Sequence, residues 1–267
     1  ILKISNVESK LDNPGEPEVV YDQYPTEKHH GWKFIDFGPD GKLYVPVGAP
    51  CNVCESENEV FNSITRLNAD GSDMEVVHKG VRNTVGFTWH PESGDLWFTD
   101  SGQAFDFNNM KEHSRLIRLS KEGKAETILD TGPVYNNGIT EDNSGAIWWA
   151  ETVPLAMCKL VDGKREKICV LPENHFPDGF VAAEDGRIFI ATTYGHNITI
   201  INPDGKIDGF IELDDQAIPT NCIFDGSDLI ISDFGTGWEK NEKSGRIWRV
   251  STDAKGHSRT LGIIDKE

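Results

Sequence analysis

The strongest constraint on the fold is an internal repeat of a short turn followed by a strand. Each copy opens with a tight turn at Gly or Ser and continues into β-branched and aromatic residues, which favour strands. The copies lie at residues 41–45, 94–98, 145–149, 186–190 and, in a looser form, 227–231. Their starts are separated by 53, 51, 41 and 41 residues. A period of this length indicates one supersecondary unit repeated along the chain.

A second recurring unit lies between these copies. Its members alternate polar and apolar residues with period two, and most end in a turn, as the first strand of a hairpin does. They lie at residues 64–71, 116–123, 198–205, 247–251 and, more weakly, 157–160. Each repeat therefore holds about four short strands and almost no helix pattern. This predicts an all-β fold, a β-propeller of four-stranded blades. A β-sandwich is the alternative, but it does not require one recurrent motif per unit.

The repeat count gives five complete inner hairpins and a half blade. The half blade is an outer-hairpin remnant at the N-terminus, formed by residues 2–5 and 18–22. No linker is visible, so residues 1–267 are predicted to form a single propeller domain.

The composition restricts the classes of molecule that this chain is expected to bind. Its formal net charge of −18 argues against nucleic acid and anionic lipid. No apolar run approaches the ~20 residues that a membrane span needs, and no signal-peptide pattern is present in this chain. We expect a soluble monomer that binds a small molecule, in a compartment that the sequence leaves open.

The five cysteines allow two interpretations. Cys51 and Cys54 form a lone C-x-x-C without the further ligands that a structural zinc site needs. Reduced cysteines packed as small apolar residues are favoured, and a local disulfide between Cys51 and Cys54 is the main alternative. A disulfide between Cys158 and Cys169, across one hairpin, is a lesser possibility.

Polar residues recur where the innermost strand of each blade is expected to begin. Each is followed by a small and then an apolar residue, at 30–32, 83–85, 137–139, 178–180 and 221–223. Equivalent positions of successive blades converge on the propeller axis. The sequence thus predicts one cavity lined by His30, Asn83, Asn137, Asp178 and Asn221. Such oxygen-rich groups suit a divalent cation, Ca²⁺ first, with Mg²⁺, Mn²⁺ and Zn²⁺ left open. Alternatively, these side chains cap strand ends by bonding to the backbone.

Residues 11–102 closely resemble the sorbosone and glucose dehydrogenase propellers that use pyrroloquinoline quinone. The matching segments are residues 18–20, 29–34, 38–54 and 81–91. The resemblance implies that residues 1–102 form dehydrogenase-like blades and that His30 is the proton-abstracting histidine. It also implies that Arg82 and Asn83 line the quinone site.

Residues 115 to about 250 are similar instead to the gluconolactonase, senescence-marker-protein and regucalcin family, which implies that residues 115–267 form gluconolactonase-like blades. The matching segments are residues 136–139, 149–152, 176–180, 219–224 and 245–250. The resemblance implies a six-bladed propeller that holds a divalent metal with a Glu, an Asn and an Asp and hydrolyses sugar lactones. Asn137 and Asp178 match the Asn and the Asp, whereas His30 stands at the position of the Glu. Asn83 matches a substrate-contacting Asn.

We therefore expect a metal-dependent hydrolase of sugar lactones or related esters. Asn137 and Asp178 would bind the metal, and Asp178 and His30 would be catalytic. Arg82, Asn83 and Asn221 would contact substrate. A quinone-dependent sugar dehydrogenase with pyrroloquinoline quinone as cofactor is one alternative. A non-catalytic propeller scaffold with an axial metal or ligand site, which includes an engineered chimera of the two propeller types, is the other.

Overall fold

The computed structural model describes residues 1–6, 9–10, 13–27, 29–31, 33–51, 56–102, 113–236 and 244–257. The chain divides into two compact units, one on residues 1–81 and one on residues 82–257. Throughout the described ranges, no helix is long and apolar enough to cross a membrane.

The first unit contains a two-stranded and a four-stranded antiparallel sheet. Its strands are β1 (Leu2–Lys3), β2 (Glu18–Val19), β3 (Asp36–Phe37), β4 (Leu43–Val47), β5 (Ser63–Leu67) and β6 (Glu75–Lys79). β1 pairs with β2, and β3 to β6 form a meander in chain order. Leu43, Val45 and Leu67 are its buried core, against which Tyr21 and Phe37 pack.

The second unit contains four sheets that follow one another along the chain. Its strands are β7 (Phe87–Trp89), β8 (Leu96–Asp100), β9 (Ser114–Leu119), β10 (Ala125–Gly132), β11 (Asn136–Glu141), β12 (Ile147–Glu151), β13 (Ala156–Val161), β14 (Lys164–Val170), β15 (Pro177–Ala182), β16 (Ile188–Thr192), β17 (Asn197–Ile201), β18 (Ile207–Glu212), β19 (Pro219–Asp225), β20 (Asp228–Asp233) and β21 (Arg246–Ser251). A short 3-10 helix, Thr193–Gly195, joins β16 to β17. The first three sheets have four strands each, and β19 to β21 form a three-stranded sheet.

The sheets of the second unit are apolar on both faces. Because side chains alternate across a strand, neighbouring residues enter different layers of core. Trp149 packs with Trp97 of the preceding sheet, whereas Trp148 packs with Phe180 of the following one. Phe189 then faces the layer shared with β19 and β20. Successive sheets are therefore stacked face to face.

The first strands of these sheets also touch in succession: β7 contacts β11, β11 contacts β15, and β15 contacts β19. Meanders stacked in this way along their first strands are the blades of a β-propeller, which confirms the predicted fold class. All five predicted inner hairpins are present, as β3–β4, β7–β8, β11–β12, β15–β16 and β19–β20.

The cysteines divide between the two interpretations. Cys158, Cys169 and Cys222 are free and buried. A Cys158–Cys169 disulfide is excluded because Cys158 pairs with Lys167 and Cys169 with Met157, so the two thiols do not face each other. Cys51 is disulfide-bonded, so the expectation of a reduced thiol is wrong there. Cys54 lies outside the described residues.

Candidate functional site

Two neighbouring inner strands of the second unit are irregular at the predicted metal ligands. The register of β11 against β12 shifts across residues 136–139, and that of β15 against β16 shifts across residues 177–180. Asn137 and Asp178 lie inside these two bulges. A bulge turns a side chain away from the regular alternation and is common beside functional sites. The same local irregularity therefore presents both predicted ligands.

The Asn137 side chain is buried and held in one orientation. Its Nδ2 donates to Thr152 Oγ1 at 3.1 Å, and Thr152 Oγ1 donates to the Pro177 carbonyl oxygen at 2.9 Å. Among the described residues, Asn137 Oδ1 has no hydrogen-bond partner. A buried amide oxygen without a donor is costly in an apolar site. Thr84 Oγ1, Trp97 Nε1 and Asn136 Oδ1 are buried without a partner in the same way within the described ranges, and of these four atoms Asn137 Oδ1 is the one that belongs to a predicted metal ligand.

Asp178 lies beside this amide with its charge poorly solvated. Burial raises the pKa of its carboxyl group from 3.8 to about 7, and the hydrogen-bonding Asn137 side chain acts in the opposite direction. Desolvation is therefore the main cause of the raised pKa. Near neutral pH this carboxyl group can release or accept a proton, and a nearby cation would hold it in the ionised form.

Asn221 lies against the backbone of β15, the strand that carries Asp178. A Cβ atom on Gly179 would come within 2.3 Å of Asn221 Oδ1, so only glycine permits this approach. Asn221 Oδ1 accepts a hydrogen bond from the Cys222 amide at 2.9 Å. The structure thus brings Asn221 next to Gly179, the residue after Asp178. The bond from the Cys222 amide is also of the kind expected if these side chains cap strand ends by bonding to the backbone.

Asp100 anchors the segment that carries Arg82 and Asn83. Its Oδ1 accepts hydrogen bonds from the Arg82 and Asn83 amides at 2.9 and 3.3 Å. Its Oδ2 accepts a 3.0 Å bond from Arg115 Nε. This nearly buried carboxylate fixes the backbone of both predicted substrate-contacting residues.

Tyr135, which was not predicted from the sequence, interacts both with Arg82 and Asn83 and with Asp178. Its hydroxyl group hydrogen-bonds with the side chains of Ser101 and Asn83 and experiences the charges of Asp178 and Arg82. Burial raises the pKa of this phenol to about 12. The second unit therefore brings Arg82, Asn83, Tyr135, Asn137 and Asp178 into one neighbourhood. No repeat signal marks Tyr135, because it precedes the strand instead of occupying a repeat position.

Two predicted strand positions are corrected. His30 and Asn83 lie in the segments before β3 and β7, not within inner strands. Each stands fourteen residues before the aromatic residue of the next strand, against eleven for Asn137 and Asp178, and the three extra residues keep them outside the ladder. His30 belongs to the first unit, where its Nδ1 lies 2.7 Å from the Ala49 carbonyl oxygen. Its catalytic role remains a prediction.

The fifth copy of the pattern is shifted by one residue. The register of β19 on β20 changes between Pro219 and Asn221. As a result Cys222 is buried, whereas Ile223, the apolar third residue of the pattern, is 44% exposed.

The oxygen atoms of this site could bind a hard cation if water supplied most of its coordination shell. Asn137 Oδ1 and the Asp178 carboxylate are oxygen ligands of the type that Ca²⁺ prefers. Within the described parts of the chain, no group of three or more His, Cys, Asp or Glu side chains is close enough to hold a metal ion. A site here would thus combine one carboxylate with one amide oxygen.

The comparisons with known proteins identify the family. The model of the SMP-30/Gluconolactonase/LRE-like region matches residues 92–232, which is more than half of the chain. The chain therefore belongs to this family. A second family model, Glucose / Sorbosone dehydrogenase, matches residues 3–108. Both predicted resemblances are confirmed, and the two matched regions overlap between residues 92 and 108.

Solved structures share the fold at low sequence identity. A luciferin-regenerating enzyme is 15% identical with a TM-score of 0.65, over 87% of this chain and 82% of that one. The calcium-binding protein regucalcin of Agrobacterium tumefaciens is 15% identical with a TM-score of 0.64, over 86% and 79%. A gluconolactonase of Xanthomonas campestris is 22% identical with a TM-score of 0.53, over 64% and 62%.

A curated relative is longer than this chain. It is a protein of Borreliella burgdorferi, described as uncharacterized, with 26% identity over 79% of this chain. The match spans 59% of that relative's length.

Proposed function

We propose that this protein is a gluconolactonase-like hydrolase that opens sugar lactones or related cyclic esters. The observation that carries the proposal is the buried Asn137 amide, which hydrogen-bonds the Asp178 carboxyl group and whose Oδ1 has no partner among the described residues. Membership of the gluconolactonase family supports it, as do solved relatives named gluconolactonase and calcium-binding regucalcin.

Asn137 and Asp178 are the residues that would hold a divalent cation, Ca²⁺ first. Such an ion polarises an ester carbonyl and lowers the pKa of a bound water. Thr152 Oγ1 accepts a hydrogen bond from Asn137 Nδ2 and so fixes the orientation of the amide, including its oxygen. The hydrogen bond that Thr152 Oγ1 donates to the Pro177 carbonyl oxygen ties this arrangement to β15.

The protein side chains would then manage binding and proton transfer. In hydrolysis a water oxygen bonds to the carbonyl carbon, the ring ester C–O bond breaks, and the leaving oxygen takes up a proton. The Asp178 carboxylate can accept the proton that the water loses, because its pKa lies near neutrality. Asn83, fixed by Asp100, and the Arg82 guanidinium group would hold the polar substituents of the sugar.

The test is hydrolysis of glucono-δ-lactone, with and without EDTA, by wild type, Asp178→Asn and Asn137→Leu. We expect Ca²⁺-dependent turnover in wild type and at least ~100-fold lower kcat in both variants. Calorimetry should show Ca²⁺ binding in wild type and in neither of these two variants. Asp204→Asn, which changes an exposed aspartate paired with Lys206, is the matched control and should retain both properties.

Two results would reject the proposal. One is absence of turnover on a panel of aldonolactones and aryl esters in the presence of Ca²⁺. The other is turnover that Asp178→Asn leaves unchanged.

A quinone-dependent sugar dehydrogenase is the second candidate, favoured by the match of residues 3–108 to the dehydrogenase model. Pyrroloquinoline quinone carries three carboxylates and needs cationic partners, of which Arg82 is the one the sequence indicates. Titration of the protein with the quinone and Ca²⁺ should change the absorption spectrum and support sugar oxidation with a dye acceptor. An unchanged spectrum would remove this candidate.

A further inference from the structure

Three inner strands of the second unit, β11, β15 and β19, begin in the same way. In each, the first residue pairs with the last residue of the following strand, and a register shift comes directly after that pair. The first backbone amide after the following strand donates to the carbonyl oxygen of the residue before the inner strand. These bonds join Thr152 to Tyr135 at 3.0 Å, Thr193 to Phe176 at 3.0 Å and Phe234 to Ile218 at 2.9 Å. The second residues of the three strands therefore occupy equivalent positions, and they are Asn137, Asp178 and Thr220.

Contacts between neighbouring inner strands give the same alignment. A Cβ atom on Gly138 would come within 2.5 Å of the Asp178 carbonyl oxygen, and one on Gly179 would come within 2.3 Å of Asn221 Oδ1. Gly138 and Gly179 are the third residues of β11 and β15, and Asn221 is the third residue of β19. Asn221 therefore stands at the position of the two glycines. Thr220 stands at the position of the two predicted metal ligands.

Thr220 is half-buried, and its hydroxyl group is paired with that of Ser232, which is also half-buried. The two Oγ atoms lie 3.0 Å apart, and Thr220 Oγ1 also donates to the Ser232 carbonyl oxygen at 3.4 Å. Ser232 Oγ donates to the Asn221 carbonyl oxygen at 3.3 Å. A hydroxyl group has one proton and two lone pairs. These bonds provide an acceptor for each proton and use at most one lone pair of Thr220 Oγ1, so this atom can accept a further hydrogen bond.

We propose that Thr220 is a further substrate-binding residue and that its Oγ1 accepts a hydrogen bond from a hydroxyl group of a sugar lactone. This inference rests on the proposed lactonase function and narrows the substrate class to lactones that carry ring hydroxyl groups. β15 and β19 touch at Gly179 and Asn221, so a substrate bound at Asp178 also lies beside the start of β19. A site that hydrogen-bonds a substrate hydroxyl group disfavours an analogue that lacks it.

The first measurement compares kcat/KM for glucono-δ-lactone and for δ-valerolactone, which has the same ring without hydroxyl groups. Thr220→Val keeps the shape and the strand preference of threonine and removes the hydroxyl group, whereas Thr220→Ser keeps the hydroxyl group. We expect Thr220→Val to lower kcat/KM ~10-fold for glucono-δ-lactone and to leave δ-valerolactone within twofold. Thr220→Ser should stay within threefold of wild type for both lactones.

Thr252→Val is the matched control. Thr252 is half-buried at the opposite end of the same sheet, beside the turn between β19 and β20. Its Oγ1 donates to the Ser227 carbonyl oxygen at 2.9 Å and accepts from the Ala254 amide at 3.2 Å. The variant loses a hydroxyl group with comparable hydrogen bonds, and it should leave kcat/KM for both lactones unchanged.

The second measurement does not need turnover. Gluconolactam carries the same hydroxyl groups on a ring that does not hydrolyse, and calorimetry gives its affinity. We expect Thr220→Val to weaken lactam binding about tenfold, while Thr220→Ser and Thr252→Val do not. Circular dichroism and the thermal midpoint show whether each variant is folded. If Thr220→Val does not fold, Thr220→Ala removes the same hydroxyl group and is judged by the same criteria.

The outcomes separate the two proposals. If wild type hydrolyses lactones and Thr220→Val matches Thr252→Val for glucono-δ-lactone, the role of Thr220 is wrong and the lactonase proposal stands. An equal loss of kcat/KM for the two lactones also contradicts a contact with a hydroxyl group. If glucono-δ-lactone alone is hydrolysed, a loss in Thr220→Val that Thr220→Ser does not share supports the contact, and an equal loss in both overturns it.

Binding decides the case without turnover. If no lactone is hydrolysed but lactam affinity depends on the Thr220 hydroxyl group, the binding site stands without the hydrolase. If wild type neither hydrolyses a lactone nor binds the lactam, both proposals are wrong.

Discussion

Gly138 lies directly against the backbone of Asp178. A Cβ atom on Gly138 would be 2.5 Å from the Asp178 carbonyl oxygen and 2.9 Å from the Cα atom of Gly179. Neither neighbour is a flexible side chain that could move aside. The two bulged strands can therefore approach each other only because the residue after Asn137 has no side chain, and this approach places Asn137 beside Asp178.

Gly138→Ala should consequently damage the site and the fold together. Forcing a methyl group into this contact costs about 1–3 kcal/mol and separates β11 from β15. We expect a lower urea midpoint and loss of Ca²⁺ binding by calorimetry. Gly209→Ala is the control, because nothing lies within 4 Å of its Cβ position. Normal Ca²⁺ affinity in a folded Gly138→Ala protein would contradict this view of the site.

Thr152 is expected to act on the cation through Asn137. Thr152→Val removes the hydroxyl group that holds the Asn137 amide and frees the amide to rotate. Groups of this kind typically change metal affinity 10–100-fold, and we expect a loss in that range by calorimetry.

Thr131→Val is the matched control for Thr152→Val. Thr131 Oγ1 donates to the Ser114 carbonyl oxygen at 2.9 Å and accepts from Asn136 Nδ2 at 2.9 Å, which is the same bonding pattern one residue away from the ligand. Both valine variants should lose similar stability, and only Thr152→Val should lose Ca²⁺ affinity. Equal Ca²⁺ affinities in the two variants would show that Thr152 is merely structural.

Asp100→Ala should weaken both stability and substrate binding. The change removes the carboxylate that accepts hydrogen bonds from the Arg82 and Asn83 amides and from Arg115. We expect it to lower the free energy of unfolding by about 3 kcal/mol. Because Asn83 loses its anchor, KM for the lactone should rise about tenfold or more.

Asp233 provides the comparison for Asp100. It is also buried and accepts hydrogen bonds from two backbone amides, those of Ile218 and Gly235, and from Arg246. Asp233→Ala should destabilise the fold comparably and leave KM within twofold. A similar rise of KM in both variants would mean that the effect reflects lost stability and not the anchoring of Asn83.

The sequence predicted the elements better than their irregularities. The inner hairpins follow from turn residues and β-branched runs, which are local properties, and the two faces of Trp148 and Trp149 follow from strand alternation. The bulges at Asn137 and Asp178 could not be predicted, because they depend on how closely neighbouring strands pack. The same holds for Tyr135, whose left-handed backbone is imposed by tertiary hydrogen bonds.

The raised pKa of Asp178 predicts a pH-dependent penalty in the metal-free protein. In the unfolded chain this group titrates near 3.9, and in the folded protein near 7. Its contribution to stability is therefore fully present below pH 4 and is lost as the pH rises through 7, where the buried group must ionise. Asp178→Asn cannot ionise, so it should gain stability over wild type between pH 4 and pH 8, by up to ~4 kcal/mol.

Urea unfolding in EDTA at pH 4, 6 and 8 measures this difference between the two proteins. All other groups titrate in the same way in wild type and in Asp178→Asn. The difference in stability between the two proteins therefore reports on Asp178 alone. Addition of Ca²⁺ at pH 8 should restore stability to wild type but not to Asp178→Asn, because a cation next to the carboxylate replaces the missing solvation. A stability difference that is constant across the pH range would show that Asp178 is well solvated, and the basis for placing a cation beside Asn137 would then be lost.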